Sequence, residues 1–201
     1  WVQKRARVQA LKPIIKAHRL ANPSVWRATA LALFRGAEFR EEWYAALELL
    51  GSRQYLQWLN VDTLPLCETL IVESGWWDIV DELATRRIGH ILATDREVVT
   101  PVLRHWATDP NRWKRRTAVI GQLKHKGETD TDLLSFAVEA NLDDPDFFLR
   151  KGIGWALREY AKTNPDWVEA FCTQHRARLS PLSRRESLRI LWKSGRATHL
   201  R

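Results

Sequence analysis

Asp109-Pro110-Asn111-Arg112-Trp113-Lys114-Arg115-Arg116-Thr117-Ala118 and, further along, Asp144-Pro145-Asp146-Phe147-Phe148-Leu149-Arg150-Lys151-Gly152-Ile153 are two versions of one segment, and their spacing decides the fold. Each opens with an acidic capping side chain followed by proline. That pair starts a helix, because the cap accepts from free N–H groups and proline has none to lose. A step of 35 residues relates Gly75 to Pro110 and Pro110 to Pro145, and Ser180-Pro181 opens the next copy. Helix-period segments follow these starts at 76–91, 111–125, 146–162 and 181–193, with shorter amphipathic stretches at 62–74, 95–107, 130–141 and 165–177. Upstream, 2–19, 23–35 and 38–50 also read as helices, less regularly spaced. Two helices recurring at a fixed step form an α-solenoid, and the Trp, Leu-Gly and Tyr offsets of the TPR type are absent. The predicted fold is therefore all-α, a right-handed α-solenoid of tandem HEAT-like two-helix repeats with a concave basic groove. It forms a single domain over residues 1–201.

Composition agrees. A chain of 201 residues buries one substantial core, and its few glycines (9) and prolines (8) favour helices over a turn-rich β fold. The formal charge of +8 attracts polyanions, nucleic acid foremost; solubility alone is the bland alternative. Cys67 and Cys172 lack any CxxC or Cys/His ligand spacing, and the six histidines are scattered. The cysteines read as reduced core residues of a cytosolic protein, and neither a metal nor a cofactor is expected. No apolar run approaches the ~20 residues that span a bilayer. The chain starts at Trp1 and contains no Met, so a natural segment before it is expected.

Superposing the repeats sorts the faces of their second helices. Leu83, Ala118, Ile153 and Leu188 form an apolar row, the core direction. The position two residues earlier points about 200° away, toward the exposed face. That row is Asp81, Arg116, Lys151 and Glu186, charged in every copy. Trp77 and Arg112 lie one turn before Asp81 and Arg116, and Trp155 follows core Ile153 by two, so all three join this surface. A second row, Arg115, Arg150 and Arg185, lies only about 60° from the core direction and is expected to brace neighbouring helices or cap carbonyls.

The concave face thus combines a carboxylate, several cations and two large aromatics. Arg112, Arg116 and Lys151 suit a phosphate backbone. Basic clusters at Lys4–Arg7, Lys124–Lys126 and Arg184–Arg189 could lengthen the track, or could be solvated faces. Of eleven tryptophans, Trp26, Trp43, Trp58, Trp106, Trp167 and Trp192 are read as core, whereas Trp77 and Trp155 turn outward. Asp81 is the anomaly, because a carboxylate repels DNA phosphates. Two readings stand open: a catalytic carboxylate kept ionised by its cationic neighbours, or an ion pair with Arg116 of the next repeat. Lys151 admits a Schiff-base role, but a phosphate contact fits better, since no burial is indicated to depress its pKa.

The run Ser74-Gly75-Trp76-Trp77-Asp78-Ile79-Val80-Asp81 resembles the Trp-Trp-Asp-x-Val-Asp motif of AlkD-type DNA alkylation repair glycosylases. Trp113–Ala118 with Gln122-Leu123-Lys124, Phe147–Tyr160 continuing to Thr163-Asn164-Pro165, and Pro181–Glu186 resemble the same family, over about residues 40 to 190. The resemblance implies HEAT-like repeats and base excision repair, by hydrolysis of the N-glycosidic bond of cationic N3- and N7-alkylpurines in double-stranded DNA. It implies a monofunctional enzyme of the bacterial cytosol, with no cofactor, metal or membrane partner; a solenoid with polar terminal helices is expected to be a monomer. Carried over by position, the catalytic group is Asp81, the active-site tryptophans are Trp77 and Trp155, and a DNA-contacting arginine is Arg116, with Arg112 and Lys151 beside it. The family also implies a helical segment before residue 1 that helps grip DNA. The repeat register and the resemblance use different information and arrive at the same four residues.

Two other readings remain. A non-catalytic or weakly catalytic DNA-binding paralogue would share the scaffold and lack base release. A HEAT-type scaffold for an acidic protein would have no use for a carboxylate among cations.

Overall fold

A computed structural model describes residues 4–200, with side chains from residue 6 onward. Among these residues there are twelve α-helices and no strand. The first three are α1 (Lys4–Ala17), α2 (Pro23–Arg35) and α3 (Arg40–Leu50). The repeats follow as α4 (Leu64–Ser74), α5 (Trp77–Glu82), α6 (Gly89–Thr94), α7 (Arg96–Ala107), α8 (Arg112–Ile120), α9 (Thr131–Glu139), α10 (Phe147–Tyr160), α11 (Pro165–Gln174) and α12 (Pro181–Lys193). The chain is an α-solenoid of helical repeats. No helix among the described residues is long and apolar enough to cross a membrane.

The starts lie close to where the sequence puts them, but only Ser180 is itself the cap: Asp109 and Asp144 accept from the N–H groups of Asn111 and Asp146, and those two residues cap the helices. Asp146 accepts from the N–H groups of Phe148 and Leu149, Asn111 from Trp113 and Lys114, and Ser180 from Ser183. Pro110 and Pro145 both precede the capping residue and lie outside the helix, whereas Pro181 is the first residue of α12. Leu83, Ala118, Ile153 and Leu188 are buried, as the apolar row requires. The second helices stack side by side, α8 against α5 and α10, and α10 against α12.

Two departures from a plain helix pair shape the site. Between α5 and α6 the helix widens into a π-turn over Leu83–Ile88, so the expected helix 76–91 is real but not uniformly α. The widened turn runs into a close crossing: a Cβ on Gly89 would lie 2.6 Å from the Gly121 carbonyl oxygen, and His125 Nε2 lies 2.8 Å from the Gly89 carbonyl. At that crossing α8 ends, at Ile120, five residues short of the expected 111–125.

The second arginine row braces helices. Arg115 donates to the Asp109 and Pro110 carbonyls at 2.7 and 2.9 Å and to Asp144 at 2.8 Å, and Arg150 donates to the Asp144 carbonyl at 2.9 Å. Arg185 departs from this pattern and is exposed. Trp26 and Trp106 are buried, whereas Trp43, Trp58, Trp167 and Trp192 are partly buried against the core. Both cysteines are free and buried.

Candidate active site

Gly75 turns the chain from α4 into α5. It sits at φ 52°, a left-handed conformation open to glycine and costly for most residues. The turn sets Trp76 as the extended residue before the helix and Trp77 as its first residue. Asp81 then lies one helical turn beyond Trp77, on the same face. Asp78, on a neighbouring face, accepts from Arg40 at 2.7 Å and from the Tyr44 hydroxyl, and the Arg40 guanidinium lies 4.4 Å over the Trp76 ring. These contacts clamp the short α5 to α3, which fixes where Trp77 and Asp81 point.

Trp77, Asp81, Arg116, Lys151 and Trp155 line one open cavity of ≈ 480 Å³, together with Phe147, Phe148, Arg158 and Glu186. Five of the six residues singled out in the sequence therefore meet there. Arg112, the sixth, stands beside the cavity: its guanidinium lies 5.8 Å from the ring of lining Phe148 and 3.1 Å from Asp146, and its side chain is half exposed. The basic side chains of Lys124–Lys126, and Arg184, Arg185 and Arg189 of the last cluster, do not line the cavity, although Glu186 between them does. Of the Lys4–Arg7 cluster, the side chains of Lys4 and Arg5 lie outside the described residues, and Arg7 lines an adjacent cleft with Tyr44 and Asp78.

Arg116 is not on the open surface where the helical-wheel argument put it. Its side chain is 5% exposed, and all three guanidinium nitrogens are engaged. Nε and Nη2 donate to the two Asp81 oxygens at 2.7 and 2.8 Å, and Nη1 donates to the Phe148 carbonyl. The physical reason is Gly152 on α10. A Cβ there would stand 3.0 Å from Arg116 Nη1, so the missing side chain admits the guanidinium between α8 and α10. One arginine thereby ties three successive repeats together. Of the two readings left open for Asp81, the ion pair with Arg116 is formed, and it does not remove the carboxylate from the cavity. Burial pushes the Asp81 carboxyl above its ordinary value of 3.8, against the pull of Arg116.

The opposite wall comes from α10 and α12. Lys151 Nζ donates to Glu186 at 2.8 Å, and Arg158 donates to the other Glu186 oxygen. Trp77 is 43% exposed, an indole face open to a ligand, whereas Trp155 is partly buried against the core and shows only part of its ring. Phe147, Phe148 and Arg158 were not singled out in the sequence. They stand four, three and seven residues from Lys151 along α10, the spacing of one helical face, and that spacing would have found them.

The arrangement is a shallow aromatic cavity lined by two carboxylates, Asp81 and Glu186, each paired with cations, and it suits a ligand that is itself cationic and attached to phosphate. Among the described residues, no group of three or more His, Cys, Asp and Glu side chains is placed to hold a metal ion.

A family model described as DNA alkylation repair enzyme matches residues 2–191. No curated protein matches the chain. Among solved structures, a "Predicted DNA alkylation repair enzyme from Enterococcus faecalis" is 29% identical, over 96% of this chain and 87% of that one, with a TM-score of 0.85.

Proposed function

The chain belongs to the DNA alkylation repair enzyme family, and on that premise we propose that it is a monofunctional DNA glycosylase. Its substrates are cationic N3- and N7-alkylpurines in double-stranded DNA, and its products are the free base and an abasic site. The observation that carries this reading is the meeting of Trp77, Asp81 and Trp155 in one cavity, with Arg116 holding the carboxylate from behind.

A purine alkylated at N3 or N7 carries a positive charge and leaves as a neutral base, so no general acid is needed. Cleavage moves the charge onto the deoxyribose as an oxocarbenium ion. Asp81, one face of which is fixed by Arg116, lies where it stabilises that charge and orients the attacking water. A preorganised charge of this kind contributes about 3–4 kcal/mol, or 10²–10³ in rate. Trp77 and Trp155 flank the charged nucleotide and add cation–π attraction. Lys151 and Arg112, each nearly half exposed, serve the phosphates. Arg116 acts through Asp81, and a phosphate reaches its guanidinium only by displacing the carboxylate. The same proposal has the enzyme act in the bacterial cytosol, without a metal or a partner chain.

The test is release of free N7-methylguanine from a duplex, comparing the parent with Asp81→Asn. Release by the parent and a fall of at least about 10²-fold in the variant, with DNA affinity kept, is expected. A folded parent that binds DNA and releases nothing moves the assignment to a non-catalytic DNA-binding relative on the same scaffold.

A further inference from the structure

Two carboxylates and three cations line the cavity. Asp81 is spoken for by Arg116, which leaves Lys151 and Arg158 on the opposite wall, both donating to the single carboxylate of Glu186. Without Glu186 that wall would present two positive charges to a ligand that is positive itself. With it, one of the two is cancelled, and Lys151 is drawn toward α12 instead of standing free in the opening.

The seat of Glu186 is built for it. A Cβ on Gly154 would lie 2.4 Å from the Glu186 Cβ and 3.2 Å from the Ser183 carbonyl, so only a glycine lets α12 approach α10 closely enough to bring this carboxylate to the wall. Gly152 does the same for Arg116, two residues earlier. The run Gly152-Ile153-Gly154 thus admits one charged side chain on each side of α10, with core Ile153 between them. Glu186 is only 16% exposed, and Lys151 and Arg158 together hold it ionised, below the usual carboxylate range.

We propose that Glu186 is a specificity-determining residue, a fixed counter-charge that lets the cavity accept a cationic base despite a basic groove. The proposal rests on the glycosylase reading and adds to it the charge selection of the substrate. It separates two quantities that a merely structural brace would move together. Affinity for DNA depends on the excess of positive charge, and passage of a cationic base depends on its being limited.

The experiment compares parent, Glu186→Gln and the double variant Arg158→Gln/Glu186→Gln, each checked for folding by thermal melting. Two quantities are read: affinity for an unmodified duplex across salt concentrations, and the single-turnover rate of N7-methylguanine release at saturating protein. In Glu186→Gln, duplex affinity is expected to hold or rise, with a salt slope steeper by up to about 0.9 for one freed cation. Release is expected to fall about tenfold, the effect of one added unit charge across a partly solvated cavity. The double variant returns the wall to its original net charge, and its release rate is expected to recover toward the parent's. Unchanged release in a folded Glu186→Gln, loss of affinity and release together, or a double variant slower than the single one each overturns the proposal. If the parent itself releases no base, the glycosylase reading fails first, and that failure is read in the parent alone.

Discussion

Replacing Arg116 with Gln would strand the Asp81 carboxylate in a site where its side chain is only 13% exposed. Removing one member of a buried ion pair typically costs about 3–5 kcal/mol of stability, because the other charge stays behind. Here the cost has a ceiling, since Asp81 can take up a proton. From an ordinary value of 3.8, protonation near neutral pH costs about 4 kcal/mol, at about 1.4 kcal/mol per unit of pKa. The deficit therefore depends on pH, with a definite sign. In the variant the folded-state pKa of Asp81 rises further above its unfolded value, so the folded chain binds more protons than the unfolded one across that window. Stability then falls as pH rises from the unfolded value toward the raised folded one, and levels off above it. Denaturant unfolding of parent and variant at about pH 5 and about pH 8 should show the larger deficit at the higher pH. Asp81→Asn/Arg116→Gln leaves no charge behind and is expected to recover part of the loss. A deficit equal at both pH values and undiminished in the double variant would refute the account, and would mean that Arg116 supports the fold mainly through the Phe148 carbonyl.

The same carboxylate governs activity. The acid limb of the pH–rate profile for base release should lie above 3.8, because burial raises the Asp81 pKa, and should move higher still in any Arg116→Gln protein that retains activity. Gly154→Ala forces α10 and α12 apart and should cost about 1–3 kcal/mol, whereas Gly127→Ala, with nothing within 4 Å of its Cβ position, should stay within about 0.5 kcal/mol of the parent; paired thermal melts decide. Burial pushes the thiols of Cys67 and Cys172 up to about 12, so near neutral pH a maleimide should label neither in the native protein and both after unfolding.

The repeat was legible because helix starts are local chemistry: Asp109-Pro110, Asp144-Pro145 and Ser180-Pro181 mark each cap to within two residues whatever packs around them, although only Ser180 is itself the cap. The apolar row Leu83, Ala118, Ile153 and Leu188 was legible because burial follows the helical period. The meeting of Trp77, Asp81 and Trp155 followed from the register of the repeats combined with a family motif. What a single-helix projection could not supply was depth. Asp81, Arg116 and Lys151 occupy equivalent positions, yet Arg116 is 5% exposed and Lys151 41%, because Gly152 opens the helix next to Arg116. The π-turn at Leu83–Ile88 was illegible for a related reason. Nothing in those residues forbids an ordinary helix, and the close passage of Gly89 against Gly121 is a fact about two repeats together. The pairing of both far-wall cations with Glu186 also needs the docked α12.

The hydrogen bonds that build the site share one habit: Asp81 reaches Arg116 across 35 residues, and Lys151 reaches Glu186 across the same interval. Arg116 meets Phe148 across 32 and Arg158 meets Glu186 across 28, so each bond joins one unit to the next. For a chain emerging from the ribosome this sets a timetable. The Asp81 clasp is complete once α10 has followed α5 and α8 and seated the Arg116 guanidinium, and the far wall closes only when α12 follows. No half of the site waits, exposed and unpaired, for a segment from the other end of the chain, and a nascent protein stalled between the two events already holds its buried carboxylate in place.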